Sequence, residues 1–222
     1  MIKVIFFDFD GTLVEFPINF FLDEMERILE KSAQEAIDKT TLLDCFSDFD
    51  FFRCVRDRYD INEEEFKTLF WSEFAWSNFP KGKPFPETFE TLQRLQDMGF
   101  KLAIATARAS SPQEVMEDLI QCGLGDFFSV EEVATRSHPE DDWKDKSPQI
   151  NKLISHFSIE PEEAIIVGDI PSDITSGTKC KLAASIAVQS GGIKKEILES
   201  SEPDVVLLNL GDLPNFLIDL DL

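Results

Sequence analysis

Two aspartates two positions apart, Asp8 and Asp10, end the apolar segment that opens the chain, IFFDFDGTLV over residues 5–14. Side chains alternate along a strand, so both carboxylates lie on one side and Phe9 lies on the other. Two carboxylates that close repel each other, and one becomes protonated unless a cation holds them. Mg²⁺ meets that need, because it binds one or two carboxylates, keeps water ligands and accepts a phosphate oxygen. Gly11 then allows a sharp turn and a close approach of the backbone to a ligand.

Two later apolar segments also end in groups suited to phosphate chemistry. The first ends in the Thr106 hydroxyl, which the Ala107 amide and Arg108 follow. The second ends in Asp169, which can reach the same metal as Asp8. Thr106 taken alone is an ordinary strand-end residue, and the neighbouring aspartates make it a candidate phosphate ligand.

Asp173 lies four residues beyond Asp169 and has two interpretations. It can bind the metal or hold a water molecule. Alternatively it belongs to an ordinary helix start, because Pro171 and an acidic first turn both favour the beginning of a helix. Both interpretations remain open from the sequence.

These residues need a sheet to bring them together, and the apolar segments predict one. The predicted strands are 2–7, 101–106, 164–169, 183–188 and 204–209, with a weaker sixth at 127–130. Helical periodicity occurs in the segments between them, at 86–98, 112–122, 147–157 and 171–180. Strands buried on both faces and joined by helical crossovers indicate an α/β fold with a Rossmann-like, mostly parallel sheet. Such sheets bind ligands at the carboxyl ends of their strands, where Asp8 and Asp169 lie.

The stretch 15–84 interrupts this alternation. It contains no good strand, is rich in phenylalanine, and shows helical spacing in Phe21, Met25 and Ile28 and again from Phe66 to Phe74. We therefore predict an inserted α-helical domain at 15–84, with the α/β core formed by 1–14 and 85–222.

The composition restricts the class of partner. The chain has 43 Asp and Glu residues against 21 Lys and Arg, a net charge of −22. That charge repels nucleic acid and anionic membranes, so neither is an expected partner, and a phosphate site needs cations of its own. The four cysteines form no CxxC pair, which favours a reducing, cytoplasmic location.

Taken in order, DFDGTLV at 8–14, Thr106, a lysine before a helix and GDIPSD at 168–173 resemble the haloacid dehalogenase superfamily. The resemblance is to its phosphatases with a helical cap between the first and second motifs, which makes 15–84 the cap.

This resemblance implies a role for each candidate residue. Asp8 is the expected nucleophile, forming an aspartyl-phosphate, and Asp10 is the expected general acid and base. The expected Mg²⁺ ligands are Asp8, Asp169 and the Asp10 carbonyl, with Asp173 as a further candidate. The expected phosphoryl-binding groups are Thr106, Ala107, Gly11 and a lysine.

Two lysines in the segment WKDKSPQI are candidates for that last role. The Lys-Pro-x-Pro form of the motif, counted back from Gly168 without gaps, selects Lys144. The shorter Lys-Ser-x-x-apolar form, with Ile150 and Leu153 in register, selects Lys146. We favour Lys146, because the serine and proline that follow it begin a helix well, and keep Lys144 as the second choice.

The resemblance therefore implies a Mg²⁺-dependent phosphatase acting on a small phosphorylated metabolite, as a monomer or homodimer. The general build and the C-terminal segment are similar to phosphoglycolate phosphatase relatives. A phosphomutase resembling β-phosphoglucomutase is the alternative, and a non-catalytic binding or regulatory protein is a weaker one. A dehalogenase is disfavoured because Asp10 has no role in that chemistry.

Basic residues in the predicted cap have two interpretations. They either face the phosphate site or pair with neighbouring acidic side chains on a solvated surface, which we favour. The candidates are Arg53, Arg56, Arg58, Lys81 and Lys83, and their acidic neighbours are Asp48, Asp50, Asp57 and Asp60.

Overall fold

The computed structural model describes residues 1–32, 37–59, 62–74, 80–138 and 142–219. The chain divides into two compact units. One comprises Met1–Phe16 with Gly82–Leu222, and the other comprises Pro17–Lys81.

The described residues form helices and strands as follows. The helices are α1 (Ile18–Lys31), α2 (Lys39–Ser47), α3 (Arg53–Arg58), α4 (Glu63–Glu73), α5 (Thr88–Asp97), α6 (Pro112–Gln121), α7 (Ser147–Phe157), α8 (Pro171–Lys179), α9 (Lys195–Glu199) and α10 (Leu213–Asp219). The strands are β1 (Val4–Phe7), β2 (Lys101–Ala105), β3 (Val133–Ala134), β4 (Ala164–Gly168), β5 (Ala184–Val188) and β6 (Val205–Leu207). None of these helices combines the length and apolarity that a membrane crossing requires.

The six strands form one parallel sheet in the order β3-β2-β1-β4-β5-β6, which confirms the predicted α/β fold. Phe7, the last residue of β1, pairs with Ile104 of β2 and Val167 of β4. The residues that follow these three strands therefore leave the sheet at the same edge. This register brings together Asp8, Thr106 and Asp169, which are distant in sequence.

Helices cover both faces of the sheet, because alternate residues of β1 join different hydrophobic clusters. Ile5 and Phe7 pack in a cluster with Leu92 and Leu95 of α5. Val4 and Phe6 belong to a second cluster with the buried residues of α7. Burial on both faces explains why the strand sequences are continuously apolar.

Two details differ from the sequence-based prediction. The prediction of a weaker strand at 127–130 is wrong, because the strand in this part of the chain is β3, at Val133–Ala134. Ser129 instead caps a short 3-10 turn, since its amide and hydroxyl both donate to the Glu132 carboxylate. The spacing within 86–98 predicts Phe89 on the same side of the helix as Leu92 and Leu95, but Phe89 is 56% exposed and packs edge-on against the ring of Phe127.

The helical unit, Pro17–Lys81, has an aromatic core of its own. The Phe21 ring lies 5.5–6.1 Å, centroid to centroid, from the rings of Phe46, Phe51, Phe70 and Phe74. These side chains come from α1, α2, the turn before α3, α4 and the residue after α4, so their packing joins separate parts of the unit.

Arg53 and Arg56 of α3 form ion pairs within this unit. Arg53 contacts Asp48 at 2.6 Å, and Arg56 contacts Asp50 and Glu63, each at 2.9 Å. Pairing with acidic neighbours is thus the arrangement that the structure records for these two arginines. Arg56 Nε also lies 3.5 Å from Asp57 Oδ1, and Asp60, the remaining acidic neighbour, lies outside the described residues.

Candidate active site

The carboxyl edge of the sheet carries a buried cluster of three carboxylates. Asp8 follows β1, Asp169 follows β4, and Asp173 lies in the first turn of α8. One oxygen from each lies within 4.8 Å of the others, and none of the three residues is more than 5% exposed. Burial of three like charges this close is unfavourable unless cations compensate them.

Lys146 supplies one compensating charge. Its Nζ lies 2.7 Å from Asp8 Oδ2 and 2.5 Å from Asp173 Oδ1, and the residue is completely buried. When all four groups are ionised, one ammonium against three carboxylates leaves an excess of two negative charges. A divalent cation would neutralise that excess.

The pKa directions agree with a shortage of positive charge. Burial raises the pKa of Asp8, although Lys146 opposes the shift. Burial, followed by the charges of Asp8 and Asp173, raises the pKa of Asp169 well above its ordinary range. Burial raises the pKa of Asp173 to about 7. Burial alone would lower the pKa of Lys146, but Asp173 and Asp8 raise it, so the lysine stays charged.

The donor set of this cluster fits a hard divalent cation such as Mg²⁺. All of its candidate ligand atoms are carboxylate oxygens, which Mg²⁺ prefers, and these oxygens, from two strand ends and a helix start, lie within 4.8 Å of one another. Water and substrate oxygens would complete the coordination of such an ion.

Asp169 is held in a slot between two glycines. A Cβ on Gly11, whose φ is +84°, would lie 2.2 Å from Asp169 Oδ2, and a Cβ on Gly191 would lie 1.7 Å from it. The Thr12 hydroxyl donates to Asp169 Oδ1 at 2.6 Å, and the Ser190 hydroxyl donates to the Gly11 carbonyl at 2.6 Å. The turn after β5 therefore packs against the Gly11 turn, and the Asp169 carboxylate occupies the space where a Cβ at either glycine would lie.

The structure brings Lys146, not Lys144, to the cluster. Lys146 directly precedes α7, which begins at Ser147 as predicted, and its amide donates to the Ser176 hydroxyl at 2.8 Å. Lys144 is exposed, with its Nζ 5.2 Å from the centroid of the Trp143 ring.

Thr106 follows β2 and is 2% exposed. Its carbonyl accepts a hydrogen bond from Gln149 Nε2 at 3.3 Å, and its hydroxyl accepts one from the Arg108 amide at 3.2 Å. Ala107, between them, is half-buried. These two hydrogen bonds to Thr106 therefore fix the start of the loop that follows β2.

The Asp10 side chain is not part of the carboxylate cluster. Its two oxygens accept hydrogen bonds from Nε and Nη2 of Arg108, each at 2.6 Å. Arg108 Nη1 donates to Asp118 Oδ2 at 2.7 Å, and the guanidinium carbon lies 4.8 Å from the centroid of the Phe9 ring. Burial alone would lower the pKa of Arg108, but Asp10 and then Asp118 raise it above its ordinary value.

Several of these residues were missed from the sequence. Arg108 was noted only as a neighbour of Thr106, and Asp118, Thr12, Ser190 and Gly191 were not considered. The sequence did carry a signal for Arg108. It is a basic residue two positions after a strand-end threonine in a strongly acidic chain, which indicates a role at the site. The turn at 189–192 carried no comparable signal, because its role depends on packing against a turn about 180 residues earlier.

Comparisons with known proteins agree with this geometry. The family model described as haloacid dehalogenase-like hydrolase matches residues 5–187, which confirms the resemblance seen in the motifs. Phosphoglycolate phosphatase from Aquifex aeolicus is 26% identical, with 95% of this chain and 94% of that protein covered. Pyrophosphatase PpaX from Halalkalibacterium halodurans is 28% identical, with 96% and 95% covered.

The fold is shared with solved structures. A haloacid dehalogenase-like family hydrolase from Streptococcus pneumoniae superimposes with a TM-score of 0.74 at 19% identity, covering 97% of this chain and 98% of that one. Nearly the whole length of this chain is therefore accounted for by one architecture.

Proposed function

We propose that this chain, which belongs to the haloacid dehalogenase-like hydrolase family, hydrolyses a small phosphomonoester in a Mg²⁺-dependent reaction through an aspartyl-phosphate on Asp8. The chain is thus an enzyme of the phosphatase class. The observation that carries the proposal is the convergence of Asp8, Asp169, Asp173 and Lys146 in one buried cluster, with a second carboxylate, Asp10, held separately nearby.

Asp8 has the surroundings of a nucleophile. Its Oδ1 accepts from the Phe9 amide at 2.7 Å and its Oδ2 contacts Lys146, so the carboxylate has little rotational freedom. In the proposed first step an Asp8 oxygen forms a bond to phosphorus while the bond from phosphorus to the leaving oxygen breaks. Fixing the attacking oxygen before substrate binds lowers the entropic part of the barrier.

Asp10 would transfer protons in both steps. It would donate a proton to the leaving oxygen in the first step, then accept one from the water that attacks the aspartyl-phosphate. Its side chain binds Arg108 and not Lys146, so the two neighbouring aspartates are equipped for different roles.

The remaining residues would bind the phosphoryl group and the metal. A bound Mg²⁺, held by Asp8, Asp169, the Asp10 carbonyl and Asp173, would neutralise charge on the phosphate oxygens. Lys146 contacts Asp8 and would contact a phosphoryl oxygen as well. The Thr106 hydroxyl, with the Ala107 and Gly11 backbone, would donate to the other phosphoryl oxygens.

We further propose that the substrate is a small, anionic phosphate compound and that the helical unit serves as a cap that selects it. Relatives named for phosphoglycolate and for pyrophosphate support this size and charge, but they favour neither compound for this chain. The chain's own net charge of −22 also favours a compact substrate that local cations can neutralise.

Phosphate release from a substrate panel tests this proposal. The panel comprises phosphoglycolate, pyrophosphate, a sugar phosphate, a nucleoside monophosphate and an aryl phosphate, each with Mg²⁺ and with chelator. We expect Mg²⁺-dependent release that falls to background in Asp8→Asn, which removes the nucleophile with almost no change in shape. Asp126→Asn, at an exposed position, is the matched control and should retain full activity.

Two results would contradict the proposal. Substantial activity in Asp8→Asn would exclude the aspartyl-phosphate route. Isomerisation of a sugar bisphosphate without net phosphate release would indicate the phosphomutase alternative instead.

A further inference from the structure

We infer that Arg108 is a positioning residue for Asp10: it sets the location and plane of the Asp10 carboxylate, and Asp118 holds Arg108 in place. This inference rests on the proposed function, because it assigns Arg108 a role that acts through the proposed acid and base.

The pairing of Arg108 with Asp10 is bidentate. Nε and Nη2 donate to opposite oxygens of one carboxylate at equal distances of 2.6 Å. Two parallel hydrogen bonds from a planar guanidinium fix the orientation of a carboxylate, whereas a single bond from a lysine would leave it free to rotate. The plane of the Asp10 carboxylate is therefore set by the plane of Arg108.

Arg108 is itself fixed from two other directions. Asp118, in the middle of α6, accepts a hydrogen bond from Nη1 at 2.7 Å. The Phe9 ring lies against the guanidinium with 4.8 Å between the guanidinium carbon and the ring centroid. Arg108 is only 6% exposed, so water competes little for these contacts. Few orientations of the side chain satisfy Asp10, Asp118 and Phe9 together.

The anchor at Asp118 is attached to a well-defined helix. Ser111 caps α6: its amide and hydroxyl contact the Glu114 carboxylate at 2.7 and 2.8 Å, and its hydroxyl accepts from the Glu114 amide. Leu119, beside Asp118, is completely buried in the core. The position of Asp118 is thus determined by the fold, and Arg108 transmits it to Asp10.

Loss of positioning has a kinetic signature that general damage does not share. An alkoxide leaving group needs a proton from the acid, whereas a 4-nitrophenolate leaving group departs without one. Disordering Asp10 should therefore slow formation of the aspartyl-phosphate from an alkyl phosphate but not from 4-nitrophenyl phosphate. The later hydrolysis step should slow for both substrates, because it needs Asp10 as a base.

Rapid-mixing kinetics of Arg108→Met test this inference, since methionine keeps a long apolar stem against Phe9 but cannot bind a carboxylate. We expect the first turnover of an alkyl phosphate to slow by about 10²-fold, within the range of general acid catalysis. The burst of 4-nitrophenolate should keep its rate within about threefold, and the substrate concentration that half-saturates the first turnover should change less than threefold for both substrates. Arg94→Met, an arginine whose guanidinium donates to Asn215, is the control and should change neither rate.

A double substitution distinguishes positioning from direct substrate binding. If Arg108 acts only through Asp10, adding Arg108→Met to Asp10→Asn should lower kcat no further than about threefold, because residues that act as a unit are not additive. Asp118→Asn should shift the same rates in the same direction by about tenfold, and it provides the test if Arg108→Met does not fold.

The outcomes separate this inference from the proposed function. Three results would overturn the inference while leaving the phosphatase proposal intact. They are equal slowing of both first turnovers, a large rise in the substrate concentration that half-saturates the first turnover, and multiplicative losses in the double variant. Absence of phosphate release and of a nitrophenolate burst in the unmodified enzyme would overturn both.

Discussion

Adding one methyl group at Gly191 should disable the proposed metal site without altering any proposed ligand. Gly191 ends a 3-10 turn that follows β5, and its backbone is not in the left-handed region. Alanine is therefore acceptable to the backbone, and the effect of Gly191→Ala should come only from the space that the new Cβ occupies.

That space is already filled by Asp169. The Cβ would lie 1.7 Å from Oδ2 and 2.4 Å from Cγ, and restoring even a 3.0 Å separation from Oδ2 requires a movement of about 1.3 Å. The Gly11 backbone limits movement in the opposite direction, because it lies so close to the same carboxylate that a Cβ built on it would be 2.2 Å from Oδ2. The Thr12 hydrogen bond must break if the carboxylate rotates. Displacement of a catalytic group by about 1 Å can lower the rate about 10²-fold, so we expect kcat/KM to fall by about that factor or more.

The assay is phosphate release as a function of Mg²⁺ concentration. Gly191→Ala should need more Mg²⁺ for half-maximal activity, because one carboxylate no longer points to the ion. Gly99→Ala is the control: its φ of +94° strains alanine by roughly 1–3 kcal/mol, but no atom lies within 4 Å of its Cβ. That variant should lose several degrees of Tm and keep its kcat.

One result would refute the reasoning. If Gly191→Ala kept kcat/KM and its Mg²⁺ requirement within about threefold, the turn at 189–191 would have moved in place of Asp169. The close packing of the two turns would then have no consequence for catalysis.

Two further predictions follow from the cluster. Lys146→Ala should lower kcat/KM by about 10²-fold or more, because it removes one preorganised positive charge. Lys144→Ala should keep kcat/KM within about twofold of the unmodified enzyme. If steady-state kinetics gave the reverse order, the assignment of Lys146 would be refuted. Mg²⁺ at 100 times its dissociation constant should stabilise the protein by about 2.7 kcal/mol and raise Tm by several degrees in thermal unfolding, whereas Asp169→Asn should show little shift. An equal shift in that variant would place the ion elsewhere.

The position of the site could be predicted because it depends on local patterns. Continuous apolar runs identified five strands, and the carboxylates at their ends identified the edge where Asp8 and Asp169 meet. The predicted helix 147–157 matches α7 at both ends, because a Ser-Pro start and a spaced apolar face are local properties. The weak strand at 127–130 failed because two adjacent phenylalanines are equally compatible with a buried turn.

Other features depend on contacts between distant residues. The choice between Lys144 and Lys146 depends on how the start of α7 packs against α8, because the Lys146 amide donates a hydrogen bond to Ser176 of α8. The Asp10–Arg108 pair joins residues 98 positions apart. The slot for Asp169 is formed by the turns at Gly11 and Gly191, which are also distant in sequence.

The sequence alone therefore determined the α/β class, five of the strands and the acidic residues that follow β1 and β4. These follow from hydrophobic periodicity and strand-end polarity, which are written in neighbouring residues. Only the tertiary structure decided which lysine faces the aspartates, that Arg108 holds Asp10, and that Gly191 makes room for Asp169. Those facts depend on distances and excluded volume between segments far apart in the chain, and no local pattern encodes them.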